Sequence, residues 1–81
     1  MKVRVKFFAI LRERVGASEV LKEVAEGSTV ADLWCQLQKE YPKLNVAGIR
    51  LLYAVNQDYV GVDHKLKDKD EVVFVPPVSG G

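Results

Sequence analysis

The chain has 81 residues, 48% hydrophobic and 28% charged, enough for one small domain with one core and too few for a second. Its 12 basic and 11 acidic residues leave a formal charge of +1, with lysines interleaved among acids and apolar residues. That pattern gives no electrostatic footprint for nucleic acid or a membrane surface, so the partners expected are proteins or small molecules. One cysteine, no secretory signal and no apolar run long enough to cross a bilayer point to the reducing cytoplasm.

The first element is predicted over Lys2 to Phe8. Val3, Val5 and Phe7 alternate with Lys2, Arg4 and Lys6, as in a strand with one buried face. Phe8 breaks the rule, a large aromatic on the charged side. Ala9 to Val15 then reads as a short helical turn that Gly16 can end. Ser18 to Val24 reads as a second strand, bent or at an edge because Val20 and Val24 share a parity that Leu21 does not.

The main helix is capped by Thr29, with Asp32 three residues on as a short-armed capping box. Val30, Leu33, Trp34, Leu37 and Tyr41 make one apolar stripe, which predicts a helix lying across a sheet, and Pro42 marks its end. After a loop through Asn45 and Gly48, Arg50 to Asn56 suits an interior strand whose facing the apolar run leaves open. Asn56-Gln57-Asp58 is turn chemistry, and Tyr59 to Val62 can pair back as a short strand. A loop with His64, Leu66 and the turn Asp68-Lys69-Asp70 leads to the last strand, Glu71 to Val75, with Val72 and Phe74 on one face and Val73 and Val75 on the other. This order predicts an α+β fold, a mixed sheet with one main helix packed across it.

No self-contained catalytic motif is visible. His64 and Cys35 are the chain's single histidine and cysteine, so no metal-ligand spacing exists, and no phosphate-binding glycine loop is present. Cys35 beside Trp34 reads as a small, half-buried apolar residue and His64 as a surface turn residue.

Attention therefore falls on Pro76-Pro77-Val78-Ser79-Gly80-Gly81. Two prolines hold φ at about −65° and lack an N–H, so they stop the strand and launch an extended arm. Ser79 is small and Gly80 and Gly81 have no Cβ, so the arm can enter a channel too narrow for side chains. Val78 to Gly81 reach roughly 13 Å at full extension. What the arm delivers is the α-carboxylate of Gly81, ionised at neutral pH.

These segments carry a resemblance. Phe7-Phe8-Ala9-x-x-Arg12-Glu13 with Gly16, Ala54-Val55-Asn56, Leu66-x-Asp68-x-Asp70-Glu71-Val72 and the closing Pro-Pro-Val-Ser-Gly-Gly resemble the small, sulfur-carrying subunit of molybdopterin synthase over essentially the whole chain. Lys69 departs from it, since many relatives place glycine there; if the turn needs φ > 0, lysine costs about 1 kcal/mol. The resemblance implies a ubiquitin-like β-grasp domain over 1–75 and a carrier tail over 76–81. It implies that an E1-like enzyme adenylates Gly81 with ATP, that a sulfurtransferase supplies sulfur, and that the resulting thiocarboxylate enters the large synthase subunit to act on cyclic pyranopterin monophosphate. It implies no stably bound cofactor.

Docking is expected on the sheet face that the helix leaves open. Phe8, Val73 and Val75, with Tyr59, would form an apolar patch rimmed by Arg12 at the root of the Pro76 to Ser79 segment. Two alternatives share the terminus: a sulfur carrier of the thiamin thiazole type, and a ubiquitin-like protein modifier.

Overall fold

The computed structural model describes residues 1–45 and 51–76. The elements are β1 (Lys2–Phe7), α1 (Ile10–Val15), β2 (Glu19–Glu23), α2 (Val30–Glu40), a 3-10 turn (Pro42–Leu44), β3 (Leu52–Val55), β4 (Asp58–Val60) and β5 (Glu71–Val75). The five strands form one sheet in the order β2-β1-β5-β3-β4. β1 and β5 run parallel at its centre, and the remaining neighbours are antiparallel. This is the β-grasp arrangement, with β2 at the edge as its mixed parity predicted.

The alternation in β1 does what the sequence requires. Val3, Val5 and Phe7 are fully buried, as are Val72 and Phe74 of β5, which pair with Val5 and Phe7. α2 covers this face. The Trp34 ring lies 5.0 Å from that of Phe74, and Gln36 Nε2 donates to the Glu23 carbonyl at 3.2 Å, tying the helix to the edge strand. Leu33 and Leu37 are fully buried beneath it.

The capping box forms as predicted: Thr29 Oγ1 accepts from the Asp32 N–H at 3.2 Å, and Asp32 Oδ2 accepts from the Thr29 N–H at 3.0 Å. The next two amides donate to the His64 and Val62 carbonyls at 3.0 and 2.9 Å, so the loop after β4 completes the cap. Pro42 ends α2 and opens the 3-10 turn, which buries Leu44 completely. Three residues give no period, so this turn leaves no signal in the sequence.

Among the described residues, four that are not glycine take positive φ: Ala9, Asn56, Gln57 and Lys69. Asn56 (52°) and Gln57 (74°) form the two-residue turn between β3 and β4, the conformation a type I′ hairpin needs. Lys69 (69°) occupies the turn before β5, so the position does require φ > 0. Ala9 (φ 55°, ψ −129°) lies outside α1, at the corner between β1 and the helix, correcting its placement within the helical turn. Gly16 closes α1 in the left-handed conformation, as expected.

The register settles the facing of β3. Tyr53 stands edge-on to Phe74 at 5.7 Å and Val55 pairs with Val72, so both face the helix, while Leu52 and Ala54 lie on the open side. β4 is Asp58–Val60, two residues shorter at its C-terminal end than predicted. Cys35 is exposed, contrary to the half-buried expectation. It lies two residues from both Leu33 and Leu37, about 200° around the helix from each, on the side opposite the apolar stripe. Arg50 and Gly48 lie outside the described residues.

Candidate functional site

The open face is built by the residues of opposite parity. Val73 of β5 pairs with Lys6 of β1 and with Ala54 of β3, and Ala54 pairs with Tyr59 of β4, giving a continuous outward row across the sheet. Val75 pairs with Leu52, forming a second apolar row where β5 ends. Cross-strand neighbours sit about 4.5–5.5 Å apart at their Cβ atoms, so the two rows make one surface. Tyr59 is 72% exposed and Leu52 49%, while Val73 and Val75 are half-buried.

Phe8 follows the Phe7–Phe74 pair, where continuation of the register sets it beside Val75, and it is 48% exposed. The chain then turns at Ala9, so Phe8 stays outward while Leu11 is fully buried. Arg12 is exposed on α1, four residues beyond Phe8. Pro76 is half-buried at the exit of β5. Pro77, Val78, Ser79, Gly80 and Gly81, the remainder of the predicted tail, lie outside the described residues.

Leu52 carries no signal in the sequence, because β3 is apolar on both faces and periodicity gives it no direction. The two-residue turn at Asn56-Gln57 sets Val55 opposite Asp58, but the facing of β3 comes from its ladder with β5, where Val55 opposes the buried Val72 and Leu52 opposes Val75. Leu52 and Tyr59, with Leu51 and Val62, also wall a groove of about 450 Å³ at the β3–β4 side of the face.

The other half of the open face is charged. Arg4 and Lys6 both reach Glu71, at 3.2 and 3.4 Å, and Arg4 also approaches Glu19 at 3.8 Å. The face thus divides into an ion-paired half on β2 and β1 and an apolar half on β5, β3 and β4, from which the chain continues into Pro76. Among the described residues no group of three His, Cys, Asp or Glu side chains is placed to hold a metal ion, and His64 is exposed. Such a surface can bind another protein.

The five-stranded mixed sheet with α2 packed across it defines a ubiquitin-like β-grasp protein, with an apolar surface where β5 runs into Pro76. The chain belongs to the ThiS family, which matches residues 5–81. It is 42% identical over 81 residues to the molybdopterin synthase sulfur carrier subunit of Escherichia coli, covering 98% of this chain and 99% of that one. It is 39% identical over 83 residues to the protein of the same name in Chlamydomonas reinhardtii, covering 100% of both. Its fold matches the solution structure of the small archaeal modifier protein 1 of Methanosarcina acetivorans with a TM-score of 0.83 at 31% identity, over 99% of this chain and 96% of that one.

Proposed function

We propose that this protein is the sulfur carrier subunit of a molybdopterin synthase, acting in the cytoplasm, with residues 1–75 as the docking body and 76–81 as the tail that carries the sulfur. Full-length likeness to sulfur carrier subunits carries this reading. The apolar face at the root of the tail supports it, since a carrier must be held by its body while its end is worked on.

The chemistry follows from the terminus. A carboxylate is a poor electrophile, so the Gly81 carboxylate attacks the α-phosphate of ATP held by an E1-like enzyme, forming an acyl-adenylate and releasing pyrophosphate. A persulfide sulfur of a sulfurtransferase then displaces AMP to give an acyl disulfide, and a second thiol cleaves its S–S bond, leaving a C-terminal thiocarboxylate and a disulfide between the two thiols. Gly80 and Gly81 permit the approach, because a Cβ at either residue would widen the arm. The thiocarboxylate sulfur is ionised and soft, and the large synthase subunit supplies the geometry in which it attacks cyclic pyranopterin monophosphate. Phe8, Tyr59, Val73 and Val75, with Arg12 at the rim and Pro76, Pro77, Val78 and Ser79 as the neck, form the contact with that subunit.

The test is intact mass after incubation with activating enzyme, ATP and a sulfur donor. Replacement of one terminal oxygen by sulfur is expected, and deletion of Gly81 should abolish it without unfolding the domain. Sulfur transfer by the truncated chain would overturn the reading. Likeness to a small archaeal modifier protein favours one second reading, conjugation of Gly81 to lysines of other proteins. The same reaction distinguishes the two, because conjugation yields a branched product with an isopeptide bond in place of a free thiocarboxylate.

A further inference from the structure

We propose a second docking surface at the opposite end of the open face, where Leu21, Lys2, Arg4 and Lys69 form a groove for an acidic segment of a partner protein that presents an apolar side chain. Leu21 is 67% exposed on the edge strand β2, and its ladder partner is Arg4. A groove of about 360 Å³ beside it is lined by Lys2, Val3, Arg4, Leu21 and Lys69, three cations and no carboxylate. Lysine and arginine stems form apolar walls while their charged ends stay at the rim, so such a groove takes an aliphatic side chain flanked by carboxylates.

The charges on this face are unevenly satisfied. Glu71 is shared by Arg4 and Lys6, and Glu19 lies near Arg4. Lys2 and Lys69 make no ion pair among the described residues, and Glu23, opposite Lys2 in the ladder, does not reach it. Asp68 is engaged by the Lys2 backbone N–H at 2.9 Å. Lys69 holds a φ of 69°, which suits glycine, so a strained lysine stands at the wall of the groove. Phosphate or nucleic acid would satisfy the cations and leave Leu21 uncovered; an acidic protein segment satisfies both. Along β5 this end lies about 13 Å from the tail root, so an occupant here leaves the tail free.

The experiment is an amide-shift titration of the full chain with the peptide Glu-Asp-Leu-Glu-Asp, alongside Glu-Asp-Ala-Glu-Asp and Lys-Arg-Leu-Lys-Arg. Saturable shifts are expected at Lys2, Arg4, Leu21 and Lys69 with the first peptide. Binding should fall about tenfold for the alanine peptide and for Leu21→Ala. It should be lost in Lys69→Gly, although that variant melts at a higher temperature because glycine relieves the backbone. Four results would overturn the proposal: no saturable shift, equal shifts with the basic peptide, unchanged binding in Lys69→Gly, or shifts centred on Leu52 and Val73. So would the same shifts on raising protein concentration alone, which would assign the groove to a second copy of the chain.

Discussion

Leu52 pairs with Val75 across the antiparallel β3–β5 ladder, which places a half-exposed leucine beside the last strand residue before Pro76. An apolar side chain at that point is covered whenever a partner grips the root of the tail. Leu52→Ala should therefore weaken the complex with the large synthase subunit by about 1–2 kcal/mol, as for a well-packed interface position, and Phe8→Ala should act in the same direction. Both variants should fold, since neither side chain is in the core. Titration calorimetry checks the affinity and thermal unfolding the fold; unchanged affinity in both would remove this face from the interface.

Lys69 and Gln57 hold positive φ without being glycine. Substitution by glycine at each should raise stability by about 1 kcal/mol, because relief of the left-handed strain exceeds the added entropy of the unfolded chain. Urea unfolding measures this. At Gln57 the change also creates Asn-Gly, the preferred pair for a two-residue hairpin turn.

Asp70 is the buried charged residue among those described, 6% exposed. Its Oδ1 accepts from Asn56 Nδ2 at 2.8 Å and its Oδ2 from the Lys67 N–H at 2.7 Å, while Asn56 Oδ1 accepts from the Glu71 N–H at 3.0 Å. The side chain thus joins the β3–β4 turn to the start of β5. Asp70→Ala strands two donors in a part-buried site and should cost about 2–3 kcal/mol, read as a lower denaturation midpoint. A loss under 0.5 kcal/mol, roughly that of an ordinary surface change, would show that water replaces the network.

The Lys22 ammonium, hydrogen-bonded to Glu40 at the end of α2, holds that carboxyl below its ordinary range; burial opposes this, and Gln36 adds to it. A depressed folded pKa makes the contribution present above the unfolded value and lost as pH falls through the folded one. Glu40 is 38% exposed at its side chain, so solvent screening limits the effect to about 0.2–1 kcal/mol. Glu40→Gln should lower the urea midpoint slightly near neutral pH and match the parent well below pH ~4. An equal gap at both pH values would assign the effect to packing of the Gln36 and Tyr41 neighbourhood.

The sequence by itself determined the elements with a period and the ends with a signal. Val3, Val5 and Phe7 declare a one-sided strand, Thr29 and Asp32 start the helix, and Pro42 stops it. Local sterics and alternation are written in adjacent residues, so they can be read there. Cys35 was legible too, since its angle from Leu33 and Leu37 set it opposite the buried stripe, but its residue type suggested burial.

Tertiary structure decided what no neighbouring residue could. The parallel pairing of β1 with β5 brings residues nearly seventy positions apart into register, Lys6 beside Val73 among them, and so makes one open face from separate strands. Leu52 acquires its direction only through its ladder with Val75, and Leu21 its company of cations only when β1 and the Lys69 turn pack beside β2. A face is a property of pairing, and pairing is set by burial of the opposite side under α2, where Trp34 meets Phe74. The long-range contacts that bury Val72 and Phe74 are therefore what point Val73 and Val75 outward, beside the tail.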